Sequence, residues 1–140
     1  MSEPLSEKII LVLRPELPVG TLVNVAACLT AGIVGANPRL AGHSLTDLSG
    51  LLSQASCHVP VVALKGDDAA FCRILAEIKA QQGNGCLSIF PAYARDIHQA
   101  EDYWLQHQEQ THAGPELLGL ALYGPKKWLN RLSGNLPLLR

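Results

Sequence analysis

From Lys8 to Arg14 the chain reads KIILVLR, an aliphatic run in which apolar and polar positions do not alternate. A strand of that kind buries both faces, so the run predicts a central place in a sheet. Pro15 and Pro18 stop it, because a proline donates nothing to a strand ladder. A helix is then predicted from Val19 or Thr21 to Val34, closed by Gly35 and the Asn37-Pro38 pair. The segment HSLTDLSGLLSQASCH carries DLSG between two short runs and reads as a small hairpin or an irregular excursion. HVPVVALKG is a second buried strand. DDAAFCRILAEIKAQQG is an amphipathic helix capped by Asp67 or Asp68, faced by Phe71, Leu75 and Ile78, and ended by Gly83.

CLSIFPAY is a third strand, broken by Pro91, and RDIHQAEDYWLQHQEQ a helix with Asp96 near its start. ELLGLALYG is apolar enough for another central strand. In PKKWLNRLSG, Pro125 opens a final helix and Gly134 lies past its end. The order β-α-hairpin-β-α-β-α-β-α predicts an α/β sandwich, with helices on both faces of a mixed, mostly parallel sheet. A length of 140 residues fits one domain, 1–140, with residues 1–7 expected to be a flexible N-terminus.

Composition narrows the classes. The chain is 48% hydrophobic and 16% charged, with 11 basic and 12 acidic side chains and a formal net charge of −1. A nucleic-acid partner is not expected, because that balance leaves no broad basic footprint. MSEPLSEK has the pattern of neither a secretory nor a transit peptide. LVNVAACLTAGIVGA is read as too short and too polar to span a bilayer. Cys28, Cys57, Cys72 and Cys86 form no C-x-x-C pair and read as free thiols. The expected location is cytoplasmic, and the apolar richness is compatible with a homodimer.

Candidate chemistry gathers at the start of the first helix. Thr21, Asn24 and Cys28 share one stripe, where free backbone N–H groups and the helix dipole favour an anion or a carbonyl oxygen. Arg14 ends the preceding strand, at the side of an α/β sheet where ligand crevices form. Phe90 and Tyr93, beyond the third strand, supply an aromatic wall. Arg14, Thr21, Asn24, Phe90 and Tyr93 are therefore the candidate ligand-binding residues, for a small anionic or amide-bearing molecule. A purely structural reading competes: Thr21 as a cap, Asn24 and Arg14 satisfied by neighbours, and Tyr93 reaching a backbone carbonyl.

Other motifs are absent or weak. There is no G-x-x-x-x-G-K-[ST] or G-x-G-x-x-G around Gly20. His43, His58, His98, His107 and His112 have no metal-ligand spacing, and no metal or cofactor is expected. Ser88 lacks a nucleophile elbow. Glu16, Asp47 and Asp96 are unpaired carboxylates available to an acid–base role. Lys126, Lys127 and Arg131 surround Trp128, and the cations at the helix N-terminus oppose its dipole, which suits an anionic contact as well as a solvated face.

KIILVLRPELPVGTLVNVAACLTAGI and ELLGLALYGPKKWLNRLSGNLPLL resemble the two ends of type II peptidyl-tRNA hydrolases. That resemblance implies a four-stranded mixed sheet with helices on both sides. LVNVAACLTAGI, DLSG, VPVVAL and FPAYARDI, in that order, are similar to the marks of the bacterial domain-of-unknown-function family two-thousand, thought to share the hydrolase fold. The hydrolases carry a G-K-G-K turn, then a Gln and a His on the first helix. Here the turn is Gly20-Thr21-Leu22-Val23, followed by Ala27 and Thr30. Their Asp-Ala-Gly-x-Thr loop is replaced by FPAYARDI. The groups that would hold tRNA and activate water are missing, so ligand binding is the first expectation. The alternative is hydrolysis of peptidyl-tRNA, an ester or an amide by a rearranged set using Glu16 or Asp96.

Overall fold

The computed structural model describes residues 6–81 and 85–140. Strand β1 spans Glu7–Leu13 and is followed by helix α1, Val19–Ala36. A 3-10 turn, Pro38–Leu40, leads into the hairpin strands β2, Ser44–Thr46, and β3, Leu52–Gln54. Strand β4, Val61–Lys65, and helix α2, Asp68–Ala80, come next, then strand β5, Cys86–Pro91. A second 3-10 turn, Ala92–Asp96, precedes helix α3, Ala100–Gln108. Strand β6, Leu117–Pro125, and helix α4, Lys126–Ser133, close the fold.

The main sheet has four strands in the order β4-β1-β6-β5. Its strands are mixed, but the expected parallel majority of pairings is not found. Only β1 and β4 pair in parallel, while β6 runs antiparallel to both β1 and β5. The cause lies between β5 and β6. Ala92 N–H donates to the Glu116 carbonyl at 2.8 Å, so the chain re-enters the sheet at the end where it left. α3 is an excursion in a wide hairpin rather than a crossover, and it starts later than predicted. Asp96 ends the 3-10 turn instead of opening that helix.

Side-chain alternation along β1 sorts the core into two layers. Ile9, Leu11 and Leu13 face Val25, Leu29 and Ile33 of α1. Ile10 and Val12 face Phe71 and Ile74 of α2 and Leu129 and Leu132 of α4. Asp67 caps α2 as predicted, accepting from Ala70 N–H at 2.9 Å. Gly83, expected to end that helix, lies outside the described residues, as do residues 1–5 of the expected flexible start. Residues 6 and 7 are already structured: Ser6 accepts from Lys126 N–H, and Glu7 opens β1.

The outer edge of β4 is covered by the last residues of the chain. Lys65 N–H donates to Pro137, Leu139 N–H donates to Ala63, and Leu138 bridges Leu64. At the opposite face of β1's end, Arg14 reaches two distant segments at once. Its Nε donates to the Leu117 carbonyl at 2.6 Å, and its Nη2 to Pro115 at 3.1 Å and to Asp68 at 2.7 Å. Its guanidinium also lies 4.8 Å from the centre of the Phe71 ring. Replacing Arg14 with Ala strips a charged donor from these carbonyls. We expect a loss of about 2–3 kcal/mol, read by urea unfolding, and only partial recovery in Arg14→Lys because an ammonium lacks the planar fork.

A cavity between the first helix and the third long strand

On its α1 side, β5 presents Cys86 and Phe90 to the core, and Ser88 sits between them on the same face. The helix passes unusually close there. A Cβ placed on Gly32 would stand 2.8 Å from Ser88 Oγ. A cavity of about 430 Å³ lies between α1, β5 and α3. Asn24, Cys28 and Gly32 line it from α1, Ser88 and Phe90 from β5, Ala94 and Arg95 from the 3-10 turn, and Tyr103 from α3. Cys28 Sγ lies 3.8 Å from Asn24 Oδ1. Arg95 makes no ion pair among the described residues.

The candidate residues fare differently. Asn24 and Phe90 meet in this cavity. Tyr93 stands just outside it, 6.2 Å from Tyr103 ring to ring. Its hydroxyl lies 2.7 Å from His112 Nε2, not against the backbone carbonyl considered from sequence. Thr21 is part-buried near the helix start but does not line the cavity, and the N-cap is Pro18. Arg14 is not brought here at all. Leu13 faces α1, so the next residue falls on the other side of the sheet, where Phe71 and Asp68 hold it. Cys28 shares the predicted stripe, and its continuation to Gly32 was a legible signal. Arg95 and Tyr103 had none, because the segment after Pro91 has no periodicity that fixes its direction.

The wall contains an amide, a hydroxyl, a thiol, a phenol and a guanidinium, but neither a carboxylate nor a histidine. Glu16 lines a separate cleft with Lys65 and Asp67, and Asp96 is exposed at the end of its turn. Nor do three of His, Cys, Asp and Glu converge as a metal site among the described residues.

Beside the cavity, the His112 and His107 rings stack with centroids 4.2 Å apart. Burial, then the neighbouring His107, lowers the His112 pKa from its usual 6.5, with Glu116 opposing. The Tyr93 and Tyr103 phenols are both raised, chiefly by burial.

The family profile of DUF2000, proteins of unknown function, matches residues 7–140. The chain belongs to this family. A solved structure similar to this chain is the protein of unknown function Atu0240 from Agrobacterium tumefaciens strain C58. The two superimpose with a TM-score of 0.84 at 20% identity, over 95% of this chain and 97% of that one. At that identity the likeness shows the fold alone. Among curated proteins no relative matches.

Two outcomes test this geometry. Gly32→Ala alone forces a methyl group against Ser88 Oγ, whereas in a Ser88→Ala background the same change is expected to stabilise by roughly 1 kcal/mol through helix propensity. A double-mutant cycle in urea reads the coupling. Because the folded His112 pKa is lowered, the unfolded chain takes up the proton first. Stability is therefore full above pH 6.5 and falls as pH drops through that value towards the folded pKa. His112→Gln should flatten this part of a stability–pH curve.

Proposed function

We propose that this cavity binds a small molecule bearing an anionic or amide group. The observation that carries the reading is Arg95, a cation without an ion-pair partner among the described residues, on the wall of a largely apolar concavity. The polar side chains are few and converge: Arg95 for a negative oxygen, the Asn24 amide for a carbonyl or amide edge, and the Ser88 hydroxyl deeper between α1 and β5. Phe90, Leu29 and Ile89 supply apolar surface for the rest of the molecule. A few placed polar groups on an apolar wall is the usual composition of a small-ligand pocket.

The hydrolase alternative rests on the resemblance of the chain's two ends to type II peptidyl-tRNA hydrolases. It needs a base within hydrogen-bond reach of the proton it removes. The residues lining the cavity include no carboxylate and no imidazole, which favours binding without turnover.

The deciding experiment is a thermal-shift screen with small carboxylates, phosphates and primary amides, followed by titration of any binder. A binder should lose about 10- to 100-fold in affinity in Arg95→Ala, the worth of one hydrogen bond to a charged group, and less in Asn24→Ala. Wild-type affinity in both variants would sink the reading. Turnover of peptidyl-tRNA by the wild-type protein would replace it with the alternative.

A further inference from the structure

α1 is 18 residues long with a mean hydropathy of 1.8, yet only 17% of it is buried. By length and composition it could cross a membrane, and it runs further than the apolar stretch judged too short from sequence. Only Val25, Leu29 and Ile33 are buried. From Leu17 to Pro38 the chain has no Asp, Glu, Lys or Arg. The hairpin β2–β3 is similar: every residue of both strands is exposed, and its leucines contact no core.

The hairpin is nonetheless well built. Asp47 accepts from Ser49 N–H and Oγ and from Leu51 N–H, and these bonds lower its carboxyl pKa. Gly50 takes the turn's positive φ of 92°, and Ala55 N–H closes the base on His43. An isolated two-stranded hairpin is marginal in water, so an ordered arm tipped with bare leucines fits a surface completed by another molecule.

The surface that would receive it is adjacent. A groove of about 590 Å³ runs between α1 and the foot of the hairpin, lined by Ala27, Thr30, Ala31 and Val34 on one side and by Ala55 and Cys57 on the other. Mostly small side chains line the groove, and large ones tip the arm. Both features lie on one chain, so two copies can each supply an arm and a groove about a two-fold axis, and such a contact closes on itself.

We propose that the occupant is a second copy of this chain, each β2–β3 arm seated in the other's α1 groove. Area supports a protein-sized contact. Val19, Val23, Leu45, Leu48, Leu51 and Leu52 are 77, 62, 48, 109, 64 and 65% exposed. That is roughly 700 Å² of apolar surface, against the ~800 Å² each partner contributes to a stable interface. Charge points the same way. Among Asp, Glu, Lys and Arg the arm carries only Asp47, already bound into its own turn. Nothing repels an identical surface, and nothing recruits a charged ligand.

The test is the mass of the full chain in solution by sedimentation, starting from a monomer of 15.0 kDa. The wild-type protein should sediment as a dimer at micromolar concentration. Leu48→Lys and Ala31→Glu should each lower self-association at least 10-fold while leaving the circular dichroism spectrum unchanged. Mixing the two variants should restore a dimer, since one arm–groove contact is then wild-type and the other pairs Lys with Glu. A wild-type monomer throughout, or a dimer unaffected by Leu48→Lys, overturns the proposal. So does a monomer that instead pellets with phosphatidylcholine vesicles, which would give α1 to a membrane.

Discussion

The guanidinium of Arg14 joins parts of the chain that are about a hundred residues apart in sequence. It holds the carbonyls of Pro115 and Leu117 where β6 begins, and Asp68 where α2 begins, with its flat face over Phe71. β6 lies between β1 and β5, so its starting point fixes the register of both antiparallel ladders. A strand's side-chain period is two, and a slip of one residue would turn every leucine of β6 to the wrong layer. The side chain of Arg14 is only 14% exposed, which limits water's access to its bond with the Leu117 carbonyl. Its bonds tie the end of β1 to the starts of β6 and α2.

Much of this was legible in the residues. The uniform apolar run of β1, the prolines that end it, the Asp67 cap and the DLSG turn specify local structure through φ restriction and side-chain hydrogen bonds. Both act over a few residues. Strand direction is different, because β6 runs antiparallel on account of where the chain returns, and no local pattern encodes that. The same division explains the site. Helix and strand periods place Asn24 and Phe90, and both line the cavity. Arg14 was misplaced although the period was available: counting one residue on from Leu13 puts it on the α2 side. Arg95 and Tyr103 reach the cavity through a 3-10 turn and a short helix whose direction depends on tertiary contacts.

α1 has two unlike flanks on either side of its buried stripe. Asn24, Cys28 and Gly32 open onto the cavity, while Ala27, Thr30 and Ala31 form the wall of the groove. A helix that is apolar nearly all round is normally buried nearly all round. Here it is buried on one stripe only, so its remaining surface is the least satisfied part of the fold. A rigid helix shared by the cavity and the groove would transmit any shift at one flank directly to the other.

The tail along β4 has a consequence of its own. Lys65 N–H and the Ala63 carbonyl are paired by Pro137 and Leu139, and Pro137 has no N–H with which to continue that ladder along β4. The sheet is thus covered on that side by the segment Pro137 to Leu139. A single proteolytic nick in the exposed Gly134–Asn135 segment would let this cover drift off, and β4 would then offer its bare edge to any passing extended chain. An uncovered edge of that kind is where strand-to-strand association starts, so the segment around Leu138 screens β4 as well as packing against it.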